Sequence, residues 1–225
     1  MDVSLIAKTE LFRGIDAGHV RAMLECLDAR ARAYRKGEAI YAVGAMAEAI
    51  GLVMSGSVHI ESDDVWGNRT IIDVIAPGQV FAEAYACART SPMMVNVVAA
   101  EDCEILLLNV ERVLTTCTSA CAHHSLLVRN LLSVTAQKNL KLTRRMFHIS
   151  PRTLRAKLLS YLSDQAILNG RLAFDIPFNR QELADYLGVD RSALSNELSK
   201  MRRDGILDCD RNHFTLLRAL ETNHN

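Results

Sequence analysis

The stretch from Asn179 to Met201, NRQELADYLGVDRSALSNELSKM, constrains this chain more tightly than any other. Leu183, Ala184 and Leu187 fall on one helical face, and Gly188 follows, able to take the positive φ that ends a helix sharply. Val189 then enters the core, and Asp190 is a good N-cap for a second helix. There Leu194, Leu198 and Met201 repeat at the four-then-three spacing of a buried stripe, leaving Ser192, Ser195, Asn196, Ser199 and Arg203 on the outer face. A solvated helix usually carries long Glu and Lys pairs there. Short polar side chains flanked by Arg and Lys suit a helix that lies against phosphates and base edges in a major groove. The stretch reads as a DNA-binding helix-turn-helix; an ordinary helical hairpin would leave that outer face unexplained.

Upstream the pattern changes twice. Residues 1–35 have helical periodicity, with Val20, Met23, Leu24 and Leu27 on one stripe. From Tyr34 short apolar segments alternate with turn signals at Gly37, Gly44, Ser55-Gly56, Gly67-Asn68 and Pro77-Gly78, which indicates an antiparallel β-roll. From about Ala122 to Ile149 there is no Gly or Pro. Val128, Leu132, Thr135, Asn139, Leu142, Met146 and Ile149 keep a four-three alternation there, while Leu127, Leu131, Val134 and Leu140 add apolar surface beside it. A helix apolar on more than one side needs its own roll on one side and a second chain on the other, with Thr135 and Asn139 fixing register; burial within one subunit is the alternative. Ser150-Pro151 breaks that helix. TLRAKLLSYLSDQAIL is a further helix, LAFDIPF a short strand-like link, and GILDCDRNHFTLL a two-stranded wing turning near Arg211-Asn212. The expected class is α+β, with a sensing β-roll and its helices over 1–121, a long dimerisation helix and hinge over 122–150, and a winged helix-turn-helix over 151–225.

With 49% hydrophobic residues in 225, the chain can bury a substantial core. No run approaches a membrane span, and MDVSLIAKTE lacks the basic-then-apolar pattern of a secretion signal, so a cytoplasmic location is expected. The formal net charge is zero, so attraction to DNA has to be local. Seven basic residues and no acidic one lie between Lys138 and Lys157, either as a solvated helix face or as a patch that steers toward DNA. The six cysteines contain no C-x-x-C and are expected to be free thiols.

RQELADYLGVDRSALSNEL, SPRTLRAKLLSYL and PGQVFAEAYAC, in this order of elements, resemble the CRP/FNR superfamily of bacterial transcription regulators, in its effector-undefined branch. The resemblance covers nearly the whole chain. It implies a homodimer that binds a two-fold symmetric operator on double-stranded DNA, contacts RNA polymerase, and answers a signal by shifting a two-state equilibrium at the Ser150-Pro151 hinge. It places base reading on Arg191, Ser192 and Asn196. Arg191 can grip guanine O6 and N7, Asn196 can pair bidentately with adenine, and Ser192 does not discriminate. Arg180, Gln181, Ser195 and Lys200 are expected at phosphates.

The effector side of the resemblance is weaker. Glu83 stands where cyclic-nucleotide binders of the family hold the ribose, but Met93-Met94 replaces their phosphate-binding pair and offers no positive charge, so cyclic AMP is not the expected ligand. Phe81, Tyr85, Met93, Met94 and Leu140 either line an apolar pocket or are core packing. Only Cys26 lies near the N-terminus, which does not support the iron–sulfur cluster of the oxygen-sensing branch. Cys117, Cys121, His123 and His124 form a denser group, readable as a metal or haem site, as a redox-sensitive thiol pair or as small buried residues. DNA binding itself requires no cofactor. The remote alternative is a cupin-like metal enzyme at His59-Ile60-Glu61, but that fold needs several clustered histidines and no other catalytic motif occurs, so no enzyme is expected.

Overall fold

The computed structural model describes residues 2–64, 66, 69–115 and 122–217 and forms two compact units, Met1–Gln137 and Lys138–Asn225. The first begins with α1 (Val3–Ala7) and α2 (Ala17–Cys26), capped by the carboxylates of Asp2 and Asp16. Eight strands follow: β1 (Arg30–Tyr34), β2 (Ala39–Tyr41), β3 (Ala49–Ser55), β4 (Val58–Asp63), β5 (Arg69–Ile75), β6 (Val80–Phe81), β7 (Asn96–Ala99) and β8 (Cys103–Asn109). They make two four-stranded antiparallel sheets, β1-β8-β3-β6 and β2-β7-β4-β5. Ile50, Leu52, Val53, Val97, Ile105 and Leu106 form their common core, which Ile6, Phe12, Val20 and Leu24 of the helical lead-in join.

The roll begins earlier than the apolar pattern suggests. β1 pairs along its length with β8, from Arg30↔Leu107 to Tyr34↔Cys103, yet it is exposed until Tyr34. Alternating Arg and Ala carry no β-branched signal, so backbone pairing with an apolar partner strand makes RARAY a strand. Two short helices punctuate the roll, α3 (Glu83–Ala88) and α4 (Val110–Leu114). The turn signal at Gly67-Asn68 lies outside the described residues.

The helix α5 (Ala122–Ile149) fills the stretch without Gly or Pro. Its two apolar sides have different fates. Leu127, Leu131 and Val134 are buried in the roll core, and Asn130 Nδ2 donates to the carbonyls of Leu11 and Arg13 at 3.0 and 2.8 Å. The four-three seam stays open, with Leu132 69% exposed, Leu142 64% and Met146 63%.

The second unit contains α6 (Leu154–Asn169), β9 (Ala173–Asp175), α7 (Arg180–Leu187), α8 (Arg191–Arg203), β10 (Leu207–Asp210) and β11 (His213–Leu216). Thr153 caps α6 through Ala156 N–H. The strand-like link becomes β9, third strand of the sheet β10-β11-β9, and Arg211 makes the wing turn at positive φ. Leu158, Leu162, Phe174, Leu183, Leu198 and Phe214 are among its buried core residues.

The packing divides the chain inside α5, whereas the sequence reading puts the boundary at Ser150-Pro151. Contacts after Lys138 explain the difference. Arg145 donates from Nε to the Tyr186 carbonyl at 3.1 Å and from Nη2 to that of Asp185 at 3.3 Å, and the His148 ring lies 2.9 Å from the Tyr186 hydroxyl. Proline ends the helix, but the last turns of α5 are already bound into the second unit.

Candidate nucleic-acid interface

The turn between α7 and α8 is built from its caps. Asn179 accepts from the backbone of Gln181 and Glu182 while the Glu182 carboxylate accepts from Asn179 N–H, a complete capping box. Gly188 ends α7 at φ +62°, and Val189 N–H closes back onto the Ala184 carbonyl at 3.0 Å. Asp190 then caps α8 through Ala193 N–H at 2.9 Å. These bonds, with the hydrogen-bonded Ser192, hold the Asp190 carboxyl below its ordinary range, the Ser192 hydroxyl having the largest effect.

Leu194, Leu198 and Met201 are buried, which turns Arg191, Ser192, Ser195, Asn196, Ser199 and Lys200 outward. Arg191 and Asn196 are exposed on that face. Ser192 donates its hydroxyl to the Asp190 carboxylate, so this base-reading candidate also braces the cap. Ser195 and Ser199 donate to the carbonyls of Arg191 and Ser195 at 3.0 and 2.9 Å, so each has to rotate before it can donate to a phosphate.

The other phosphate candidates have partners too. Arg180 Nη2 lies 3.3 Å from Cys209 Sγ and its guanidinium is stacked 5.0 Å from the centre of the Phe214 ring, tying the start of α7 to the wing. Gln181 donates to Asp185 at 2.9 Å, and Lys200 Nζ stands 3.8 Å from Glu197. Arg180, Ser195, Ser199, Arg202 and Cys209 border a hollow of about 180 Å³ between α8 and the wing.

Neither reading of the basic run anticipated its structural work. Besides Arg145, Lys157 donates to the Leu187 carbonyl at 3.2 Å, so cations from two helices cap the C-terminal carbonyls of α7, where the helix dipole favours them. Around them His148, Tyr161, Phe178 and Tyr186 form an aromatic cluster. Burial pushes the His148 imidazole below its ordinary pKa, against the upward pull of Asp164 at 3.6 Å and with a further downward push from Arg144.

In the roll, the candidate effector residues point different ways. Phe81 is fully buried against Gly51, where an added Cβ would lie 2.1 Å from its ring. Glu83 and Met93 are buried, Tyr85 is half-buried, and Met94 is 74% exposed. Leu140 is exposed and belongs to the second compact unit. Ala82, which precedes Glu83, takes a left-handed φ of +60° at the start of α3, a conformation that favours glycine.

Cys117 and Cys121 lie outside the described residues. His124 is buried with Nε2 2.8 Å from the Val113 carbonyl, an arrangement that puts the proton on that nitrogen and takes it from metal binding. His123 stacks on His19 at 3.9 Å. Among the described residues no three His, Cys, Asp or Glu side chains are grouped to hold a metal. At the cupin-like position Glu61 is buried, with Arg69 ion-paired to it at 3.2 Å and the His59 ring 3.4 Å away.

Comparison with known proteins divides along the same lines. The cyclic nucleotide-binding domain family matches residues 31–119, and the Crp-like helix-turn-helix domain family matches residues 156–221. The transcriptional activator protein FnrL of Cereibacter sphaeroides is 35% identical over 71 residues, a match spanning 28% of this chain and only 29% of that relative's length. Among solved structures, the catabolite activator protein of Thermus thermophilus is 22% identical with a TM-score of 0.51, covering 92% of this chain and 93% of that one. The c-di-GMP responsive global regulator CLP of Xanthomonas campestris is 20% identical with a TM-score of 0.57, covering 91% of this chain and all 100% of the other. At these identities the structural likeness concerns the fold. No described helix is long and apolar enough to cross a membrane.

Proposed function

We propose, from the premise that the chain belongs to the CRP/FNR family of transcriptional regulators, that it acts as a homodimer binding a two-fold symmetric DNA operator under the control of a signal sensed by the β-roll. The family is one of regulators, not enzymes. The observation that carries the reading is the outer face of α8, where Arg191 and Asn196 stand exposed among short serines on a helix fixed by a capped turn. Arg191 reads guanine and Asn196 adenine in this proposal, while Arg180, Gln181, Ser195 and Lys200 approach phosphates, which set register without reading sequence. Cytoplasmic location and contact with RNA polymerase complete the reading.

Dimerisation is supported by α5, whose open seam alternates four-three beside a side already buried in the roll. Asn139 and Thr135 sit on that seam, where polar residues select one register. Two identical chains paired there present two α8 helices related by a two-fold axis, and their half-sites would lie about one DNA turn, near 34 Å, apart. Selecting duplexes from a random library and footprinting the winners tests the reading. Two inverted half-sites are expected; an asymmetric footprint, or no selected sequence, refutes it.

The signal is not cyclic AMP in this proposal. Met93 is buried and Met94 exposed, and neither offers a charge to a cyclic phosphate. A titration of cyclic AMP followed by thermal melting is expected to leave the midpoint unmoved. A dose-dependent rise would overturn this part alone.

A further inference from the structure

Contacts on the flanks of α8 carry one more step. Glu197 and Asp204 are seven residues apart and therefore lie on one side of the helix. Both meet a single residue of α6. Arg155 Nε donates to Glu197 Oε1 at 2.6 Å, and its Nη1 stands 2.8 Å from Asp204 Oδ2. Glu197 is mostly shielded, with 15% of its side chain exposed. On the opposite flank Arg202 Nε reaches Asp208 of β10 at 2.8 Å. The helix is thus gripped on both sides of its outer face.

Resting on the DNA-binding reading above, we infer that Arg155 is a positioning residue for sequence discrimination. Its planar fork spans two carboxylates on one flank of α8 and sets the rotation of that helix about its axis. The buried stripe of Leu194, Leu198 and Met201 sets which face is turned inward, but its contacts are non-directional, whereas the Arg155 fork fixes an angle. Side-chain atoms stand about 5–6 Å from a helix axis, so a turn of about 10° carries them about 1 Å. That exceeds the half-ångström window of a good hydrogen bond. A bidentate contact from Arg191 to guanine does not survive such a shift, whereas contacts to phosphates do, because they follow a smooth charged backbone. Lysine at position 155 would bring a point charge that cannot span both acids.

The competing explanation is that Arg155 touches a phosphate itself. Glu197→Gln separates the two, being nearly isosteric and on the helix rather than on Arg155. Wild-type and variant full-length protein are measured by fluorescence anisotropy on the selected operator duplex and on an unrelated duplex of equal length, at several salt concentrations. With Arg155 as positioner, Arg155→Ala and Glu197→Gln each weaken operator binding about ten-fold, leave unrelated DNA unchanged, keep the salt slope, and combine to no more than either alone. With Arg155 on a phosphate, Arg155→Ala weakens both duplexes alike and lowers the slope by about one, while Glu197→Gln tightens both. That second pattern, or unchanged discrimination, overturns the inference. Should Arg155→Ala melt below the assay temperature, Glu197→Gln decides by itself. Failure of the wild-type protein to select any duplex refutes the DNA-binding reading, a result distinct from either pattern.

Discussion

The open seam of α5 gives the sharpest quantitative expectation. Leu142 is 64% exposed and lies in line with Leu132 and Met146. Full burial of a leucine is worth about 1.5–3 kcal/mol, so covering the exposed two-thirds gives about 1–2 kcal/mol per chain. A symmetric dimer counts it twice. Leu142→Ala keeps one methyl of that side chain, so about 1.5–3 kcal/mol of the association is lost per dimer, a weakening of about ten- to a hundred-fold. Sedimentation velocity across a dilution series reads this directly. The control is Leu131→Ala, one helical face away and buried in the roll core. It removes packing within one chain, which lowers thermal stability by about 2–5 kcal/mol and leaves the dimer constant nearly unchanged. Equal dimer constants for Leu142→Ala and the wild type, or a larger loss in Leu131→Ala, would refute the assignment of the two faces.

Three further outcomes follow from the geometry. Arg191→Ala is expected to reduce the preference for operator over unrelated DNA by about 1–3 kcal/mol, read by competition gel shift; an unchanged preference removes Arg191 from base reading. Because burial lowers the His148 pKa, the unfolded chain binds more protons there, and stability is full above about pH 6.5 and declines as pH falls below it. His148→Phe is expected to flatten that limb of a melting-temperature series, and an identical limb would show that another group carries it. Gly51→Ala places a methyl carbon against the Phe81 ring, so it should destabilise the first unit by about 1–3 kcal/mol, with Phe81→Leu recovering part of the loss in chemical denaturation. Additive losses in the double variant would contradict that contact.

Helix periodicity, caps and breakers were legible in the sequence because their causes are local. The α7–α8 turn is written in Gly188 and Asp190, each acting on backbone within four residues of itself, and the structure adds the equally local capping box of Asn179 and Glu182. The seam of α5 was legible for the same reason. Strand β1 was not: RARAY is a strand because β8 lies beside it, a contact from some seventy residues later. Side assignment within α5 was partly hidden too. Two apolar faces are visible in the pattern, but their order of use depends on which one the roll presents its core to, and that is tertiary.

The candidate site shows the same limit in its charges. A run of cations without an acid between Lys138 and Lys157 invites an electrostatic reading, because formal charge is what a sequence displays. Arg145, Arg155 and Lys157 are among the cations of that run with specific partners in the fold. Arg145 and Lys157 meet the carbonyls that end α7, and Arg155 meets two carboxylates of α8. None of these partners is within a helical turn in sequence, so no spacing rule reveals them. The carbonyls are also uncharged and so invisible to any count of charge. Arg145, Arg155 and Lys157 thus supply donors to the end of α7 and to one flank of α8, work that a count of formal charge does not display. A formal net charge of zero is compatible with the proposed DNA recognition, since that proposal needs only a few cations on the exposed face of α8, and Arg155 is already engaged on its flank.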